Sequence, residues 1–261
     1  MRLLKEFSSG FTNQDGSFTS GSFDFRVATV LVYTAVALSV VKYFGDPKAF
    51  VLYLNLGPNS FGAQFCHFFF NHQTGALHSM LFWIGSIIVF YLLIPMAIVR
   101  WGFRANLCDF GISLKGIAKT WPLYGFLIVF MLPLVFLASD TVSFQDRYPL
   151  FQPENGQLFP QFLFWQVAYF IQFVAVEFFF RGFMVHGTKH RFGYYAVFVM
   201  IIPYCMVHFG KPFAETIAAI FAGLVLGVLS LKSRSVIPGV LVHYLVAIAM
   251  DLMALWREGY F

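Results

Sequence analysis

The sequence predicts an all-α polytopic membrane protein with about seven or eight transmembrane helices and a buried polar site in its C-terminal helix bundle. Of the 261 residues, 59% are hydrophobic and only 11% are charged, and the mean hydropathy is +0.73. The apolar residues fall into runs of about 20 residues, the length that crosses a bilayer. The 36 Phe residues suit lipid-facing surfaces and the membrane interface. Together these observations exclude a water-soluble globular domain.

The charge distribution indicates membrane topology rather than a nucleic-acid partner. The net charge is +5 and the pI is near 9.1, but the basic residues lie in short loops between the apolar runs. Most of the Lys and Arg residues fall on the same side as the N-terminus, which therefore is predicted to be cytoplasmic. We expect an integral protein of a bacterial inner (plasma) membrane that binds no nucleic acid. The 3 cysteines form no CxxC pair, so neither a disulfide framework nor a cysteine metal site is indicated.

The N-terminal part divides into a tail and a first membrane unit. Residues 1–25 are polar and lack the apolar core of a signal peptide, so they are predicted to form a flexible cytoplasmic tail. Residues 26–99 are predicted to hold membrane helices at 26–44 and 77–99 with an outer loop between them. Within that loop, 61–70 is a candidate interfacial or re-entrant helix, and counting it as a span gives the number eight.

The second unit, residues 100–261, is predicted to be a catalytic membrane domain. A third span at 121–138 is followed by a polar outer loop at 139–159. Four further spans are predicted at 160–186, 193–209, 215–231 and 235–256. Because their connections are short, these helices must run antiparallel and stay close together. Gly223 and Gly227 form a GxxxG pair that most simply serves helix packing.

Two charged residues stand out because they lie inside an apolar run. Glu177 and Arg181 are four residues apart, so on a helix they share a face. A lone charge in a bilayer costs about 2.5–3.5 kcal/mol or more, so both groups need partners. Glu177 is predicted to be a general base. Its apolar surroundings favour the protonated carboxyl group, whereas its cationic neighbour favours the ionised one, and a base that works near neutral pH needs both influences. Arg181 is predicted to orient Glu177; the alternative is a purely structural ion pair.

Two histidines on later apolar segments are the candidate partners. At a rise of about 1.5 Å per residue, His208 and His243 reach a depth similar to that of Glu177. With Glu177 they could bind a divalent metal such as zinc, or they could hold a water and an oxyanion without a metal. Each could also be a structural histidine. Glu215 and Asp251 are weaker supporting candidates: the position of Glu215 fits a helix N-terminal charge equally well, and Asp251 lies two turns beyond His243.

At these residues the sequence resembles the CPBP family of intramembrane proteases, which process CAAX proteins and bacteriocins. The family pattern is Glu-Glu-x-x-x-Arg-Gly, then Phe-x-x-x-His, then His-x-x-x-Asn on successive helices. Here Glu177, Arg181 and Gly182 match the first motif, and His208 matches the second with Tyr204 in place of Phe. The third motif is matched only at its histidine, His243. A short segment at 109–112, before an upstream span, also resembles the sequence found there in the family.

Two positions depart from the family pattern. Val176 stands where the family has its first glutamate, the residue generally assigned to water activation, and Ala247 stands where it has Asn. Either Glu177 takes over the water, helped by Glu215 or Asp251, or the chain is a degenerate relative that binds without cleaving.

The resemblance implies an intramembrane endopeptidase that acts on a membrane-anchored protein, a lipidated tail or an exported peptide. In this hypothesis Glu177 activates a water near His208, Arg181 orients Glu177, and His243 polarises the scissile carbonyl and stabilises its oxyanion. The alternatives are a catalytically degenerate scaffold of the same fold and a small transporter. The transporter is disfavoured because the sequence shows no internal repeat.

Overall fold

The computed structural model describes residues 23–53, 57–70, 75–152 and 158–260, and all regular secondary structure in them is helical. Most of the predicted N-terminal tail, residues 1–22, lies outside the described residues. The first described helix begins where the sequence supplies a cap. Asp24 accepts a hydrogen bond from the Val27 N–H at 3.0 Å, as an N-cap aspartate does.

The helices are numbered here in chain order. They are α1 (Phe25–Phe44), α2 (Pro47–Tyr53), α3 (Phe61–Phe70), α4 (Gly75–Gly102), α5 (Ile117–Ala138), α6 (Val142–Gln145), α7 (Gln161–Phe192), α8 (Tyr195–Met206), α9 (Phe213–Ser233) and α10 (Ile237–Arg257). A 3-10 turn, Leu107–Phe110, lies between α4 and α5. The predicted unit boundary at residue 99 falls inside α4; the division into two units stays a prediction.

Six of the described helices are long and apolar enough to cross a membrane: α1, α4, α5, α7, α9 and α10. The protein is therefore an all-helical integral membrane protein, as predicted, but the count of seven or eight spans is not confirmed. The predicted span at 193–209 corresponds to α8, which has only 12 residues. At about 1.5 Å per residue α8 is about 18 Å long, less than the hydrocarbon thickness of about 30 Å. Apolar residues continue beyond Met206, but the helix ends there.

Helix α7 lies at the centre of the bundle and α5 at its edge. In the apolar window of α7, 56% of the residues are buried, against 11% in α5. The centre of α7 buries a run of phenylalanines in the main core, among them Phe178, Phe179 and Phe180. From Phe178 to His186 the helix is π-helical, an uncommon geometry that often accompanies functional sites. This stretch begins directly after Glu177.

Small residues allow close approach between α8 and α9. A Cβ atom added at Gly223 would lie 2.9 Å from the Tyr204 ring, and one at Gly227 would lie 2.6 Å from the Val197 side chain. Both positions therefore need glycine. The expected packing role of the GxxxG pair is confirmed, and the contact fixes the position of α8 relative to α9.

The short element before α5 packs against the middle of the π-helical stretch. Gly111 adopts φ +90°, a conformation that favours glycine, and its carbonyl accepts a hydrogen bond from the Val236 N–H at 2.9 Å. A Cβ added at Gly182 would lie 2.7 Å from the Phe110 carbonyl oxygen. The glycine that follows Arg181 is therefore required for α7 to pack against this turn, which also contacts the segment leading into α10.

Candidate active site

The charged pair predicted from the sequence is formed in α7. The Arg181 Nη1 donates a hydrogen bond to the Glu177 Oε1 at 2.9 Å, and both side chains are 0% exposed. Such a buried pair is costly to desolvate and is retained only when its geometry and hydrogen bonds compensate. The two residues are four positions apart and lie on one helix face, which brings their side chains together. They do so although the backbone from Phe178 onward is π-helical.

The second partner of the carboxylate comes from α10. The Nδ1 of His243 lies 2.8 Å from the same oxygen, Glu177 Oε1. Because a carboxylate only accepts, this nitrogen carries the proton. The His243 side chain is 19% exposed, and its Nε2 forms no hydrogen bond with any residue that the structure describes. One nitrogen of this imidazole is therefore left without a hydrogen-bond partner among the described residues.

Several polar atoms of the charged pair are buried without a partner. Within the described part of the chain, Glu177 Oε2, Arg181 Nε and Arg181 Nη2 form no hydrogen bond. Glu177 Oε2 faces the backbone of α10, since a Cβ added at Gly239 would lie 2.8 Å from it. Buried polar atoms are usually hydrogen-bonded, and exceptions occur at functional sites. Gly239 is thus a second α10 residue of the site, one that the sequence analysis did not identify.

An aromatic side chain from α8 completes the site. The Tyr204 ring lies 4.1 Å from the Arg181 guanidinium carbon, within the range of a cation–π interaction. Its centroid is 4.9 Å from the ring of His208 and 6.3 Å from that of His243. Tyr204 was missed as a site residue, although it stands at the phenylalanine position of the second motif, four residues before His208.

The other predicted histidine joins the site indirectly. His208 follows the end of α8, is 7% exposed, and donates from Nδ1 to the Tyr204 carbonyl at 2.9 Å. Among the described residues it forms no hydrogen bond with Glu177 or His243. The structure therefore connects His208 to the charged pair through Tyr204.

The described side chains do not fit the metal site considered from the sequence. A catalytic zinc commonly has three protein ligands, and no group of three His, Cys, Asp or Glu residues that could hold a metal occurs among the residues described. Both histidines leave Nε2 free of described hydrogen bonds, but one oxygen of Glu177 is already engaged by two donors. No chemical step is therefore assigned to a metal.

Glu215, a supporting candidate, is engaged at the start of α9. Its carboxylate accepts from Lys211 Nζ at 2.7 Å and from the Tyr148 hydroxyl at 2.8 Å. Burial, with the nearby carboxylate of Glu215, raises the pKa of Tyr148 well above its usual range, so this hydroxyl remains a donor. The neighbouring Thr216 hydroxyl donates to the His208 carbonyl at 3.0 Å. Glu215 thus anchors the outer loop close to His208, while its own side chain binds elsewhere.

Asp251, the other supporting candidate, has partners different from those expected. Its carboxylate accepts from the Leu150 N–H at 2.9 Å and from Trp165 Nε1 and Gln166 Nε2, each at 3.1 Å. These partners belong to the outer loop and to the start of α7. No hydrogen bond joins Asp251 to His243 among the described contacts, in keeping with the two helical turns that separate the two residues. Asp251 instead fastens the outer loop to the bundle.

One comparison with known proteins matches the part of the chain that contains this site. Residues 158–249 match the family model described as type II CAAX prenyl endopeptidase Rce1-like. No curated protein and no solved structure matches the chain. The matched range contains α7, α8, α9 and most of α10, and with them Glu177, Arg181, His208 and His243. This match over residues 158–249 agrees with the resemblance to the CAAX-processing proteases seen in the sequence.

Proposed function

We propose that this protein is an intramembrane endopeptidase that hydrolyses a peptide bond in a membrane-anchored or lipidated protein or peptide. One observation carries the proposal: inside the matched region, the buried Glu177 carboxylate is hydrogen-bonded to both Arg181 and His243. A carboxylate, a cation and a partly exposed imidazole in apolar surroundings are suited to activating a water molecule.

In the proposed reaction, water activation depends on Glu177 and His243 together. Arg181 holds Glu177 in place, and the Tyr204 ring holds Arg181 from the other side. His208 can accept a hydrogen bond from the water at Nε2, because its Nδ1 proton is directed to the Tyr204 carbonyl. These groups come from α7, from α10 and from α8 with the residues that follow it, so substrate hydrolysis requires the packed bundle.

The substrate class follows from the family and the setting of the site. The matched family is named for prenylated CAAX proteins, so we propose a lipid-anchored C-terminal segment or a peptide being exported as the substrate. We also propose that the protein lies in a bacterial inner membrane with its N-terminus in the cytoplasm, which the distribution of basic residues supports.

The test uses the purified full-length protein in liposomes with a farnesylated peptide ending in a CAAX tetrapeptide. We expect loss of the terminal tripeptide, measured by mass spectrometry, at a rate that added chelator does not change. Glu177→Gln should reduce the rate by about 10²–10⁴-fold, the usual contribution of general acid–base catalysis. Glu258→Gln, at the exposed end of α10, serves as the matched control. Cleavage by the Glu177→Gln variant at the wild-type rate would contradict the proposal.

A non-enzymatic scaffold is the second candidate function, and two side chains favour it. Val176 packs against the main core and Ala247 is buried in a neighbouring apolar cluster, at positions where the family has polar residues. A scaffold would leave a panel of prenylated and unprenylated membrane peptides uncleaved. The endopeptidase, in contrast, cleaves at least one peptide of the panel, and the loss of that cleavage in Glu177→Gln separates the two functions.

A further inference from the structure

Both histidines of the site have the same arrangement of protons. His243 donates from Nδ1 to the Glu177 carboxylate at 2.8 Å, and His208 donates from Nδ1 to a backbone carbonyl at 2.9 Å. Neither acceptor can donate, so in each ring Nδ1 must carry a proton. In a neutral imidazole the other nitrogen, Nε2, then has a lone pair and no proton.

The charge balance of the site favours a neutral His243. Glu177 and Arg181 already form a pair with no net charge, and both are 0% exposed. A protonated His243 would add a positive charge without a second carboxylate to compensate it, in surroundings where an uncompensated charge is costly. With Nδ1 protonated, Nε2 is an acceptor before reaction. It cannot donate a hydrogen bond to a carbonyl oxygen or an oxyanion, the role expected from the sequence.

The carboxylate is poorly placed to take the proton from water itself. Glu177 Oε1 receives hydrogen bonds from both Arg181 and His243. Glu177 Oε2 is buried against the backbone at Gly239. The His243 side chain, by contrast, is 19% exposed while that of Glu177 is 0% exposed.

We propose that His243 Nε2 is the general base of this site and that Glu177 is a positioning residue that fixes the His243 tautomer and ring orientation. This inference rests on the proposed endopeptidase function and assigns the roles within it. A carboxylate behind an imidazole has the same function in serine hydrolases, where the acid stays ionised and the histidine transfers the proton. The absence of the first family glutamate, replaced by Val176, fits this division of roles.

The proposed step balances with water as the only co-reactant. His243 Nε2 takes one proton from the water as the water oxygen bonds to the scissile carbonyl carbon. The carbonyl π electrons move to the oxygen, giving a tetrahedral oxyanion. As the oxyanion collapses and the C–N bond breaks, His243 gives the same proton to the leaving nitrogen. The products are a carboxylic acid and an amine, and the neutral imidazole is restored.

The first test measures the tautomer and needs no substrate. The chain has 7 histidines, so ¹⁵N-histidine labelling in nanodiscs gives a small set of signals, and His243→Gln identifies the one that belongs to His243. We expect a protonated Nδ1 and an unprotonated Nε2 in the wild type, and loss of this preference in Glu177→Ala. A proton on Nε2 in the wild type would overturn the proposal, whether or not the protein cleaves any peptide.

The second test asks which residue takes the proton during cleavage of the farnesylated CAAX peptide. His243→Gly should lose activity by about 10²-fold or more, and added imidazole should restore part of it. Formate should not restore Glu177→Ala. The opposite pattern, rescue of Glu177→Ala by formate with no rescue of His243→Gly by imidazole, would make Glu177 the base and overturn the proposal. His190→Gly, which removes a half-exposed histidine of α7, controls for imidazole effects on the assay; if it loses as much activity as His243→Gly, the loss is not specific and the assignment fails.

Discussion

Two carboxylates are fully buried in the described part of the chain, and their hydrogen-bond partners differ. Asp251 and Glu177 are both 0% exposed. Asp251 uses both of its oxygens to accept three hydrogen bonds from neutral donors, namely Leu150, Trp165 and Gln166. One oxygen of Glu177 accepts hydrogen bonds from Arg181 and His243, whereas the other oxygen accepts none from any described residue.

This difference separates an anchor from a candidate reactive group. A carboxylate whose two oxygens both accept hydrogen bonds from neutral donors holds the outer loop to α7 and α10. Glu177 pairs with a cation and an imidazole at one oxygen, while its other oxygen is buried without a hydrogen bond to a described residue. Its hydrogen-bonding capacity is therefore not satisfied by the fold. Burial alone does not distinguish the two; the number and kind of their partners do.

A large stability effect is expected at Arg181, where a buried charge loses its partner. Arg181→Met should destabilise the protein by about 3–5 kcal/mol, because it leaves the buried Glu177 carboxylate without its cation. Thermal and denaturant unfolding in detergent measure the change. Arg257→Met is the matched control: Arg257 pairs with the exposed Asp140, and loss of such a pair costs about 1 kcal/mol or less. Equal losses of stability in the two variants would show that the buried ion pair contributes no more to stability than the exposed one.

Asp251→Ala should also destabilise the protein, but its effect should appear in the outer loop and not in peptide cleavage. It leaves three buried donors unpaired, and each unsatisfied buried group costs about 1–3 kcal/mol. Hydrogen exchange of residues 146–152 should accelerate, since the Leu150 N–H loses its acceptor. The folded variant should keep its peptide-cleavage activity. Loss of activity without faster exchange would place Asp251 in the site and remove the contrast with Glu177.

Gly239→Ala is expected to change stability least and activity most selectively. The added methyl group would lie 2.8 Å from Glu177 Oε2, so the carboxylate must move. We expect a cost of about 1–3 kcal/mol from overpacking, together with a clear loss of cleavage of the farnesylated peptide. Gly85→Ala is the control, because a Cβ added there meets nothing within 4 Å. Unchanged cleavage by Gly239→Ala would mean that the precise position of Glu177 is unimportant.

The spans were predictable from the sequence wherever hydropathy and helix geometry coincide. The predicted spans at 26–44, 77–99 and 121–138 correspond to α1, α4 and α5 within a few residues. The span at 193–209 was overextended, because apolar residues continue through the turn after Met206. Hydropathy reports whether side chains tolerate lipid, and it is insensitive to the point at which the backbone leaves the helix.

The site was predictable where its residues share one helix or one motif. Glu177 and Arg181 meet because four-residue spacing places them on one face. The approach of His243 to Glu177 was expected from the family pattern and is formed across two helices. The partners of Asp251 and the contact of Tyr204 with Arg181 were not predictable, since they join segments far apart in the chain.

The sequence by itself determined the apolar spans, the charged pair of α7 and the histidines that accompany it, because these follow from local spacing and from the cost of charge in lipid. Only the tertiary structure decided which oxygen of Glu177 is engaged, which nitrogen of His243 carries the proton, and that Gly239 and Tyr204 border the pair. Hydrogen-bond direction and steric contact depend on how helices are rotated against one another, and no single helix sequence contains that information.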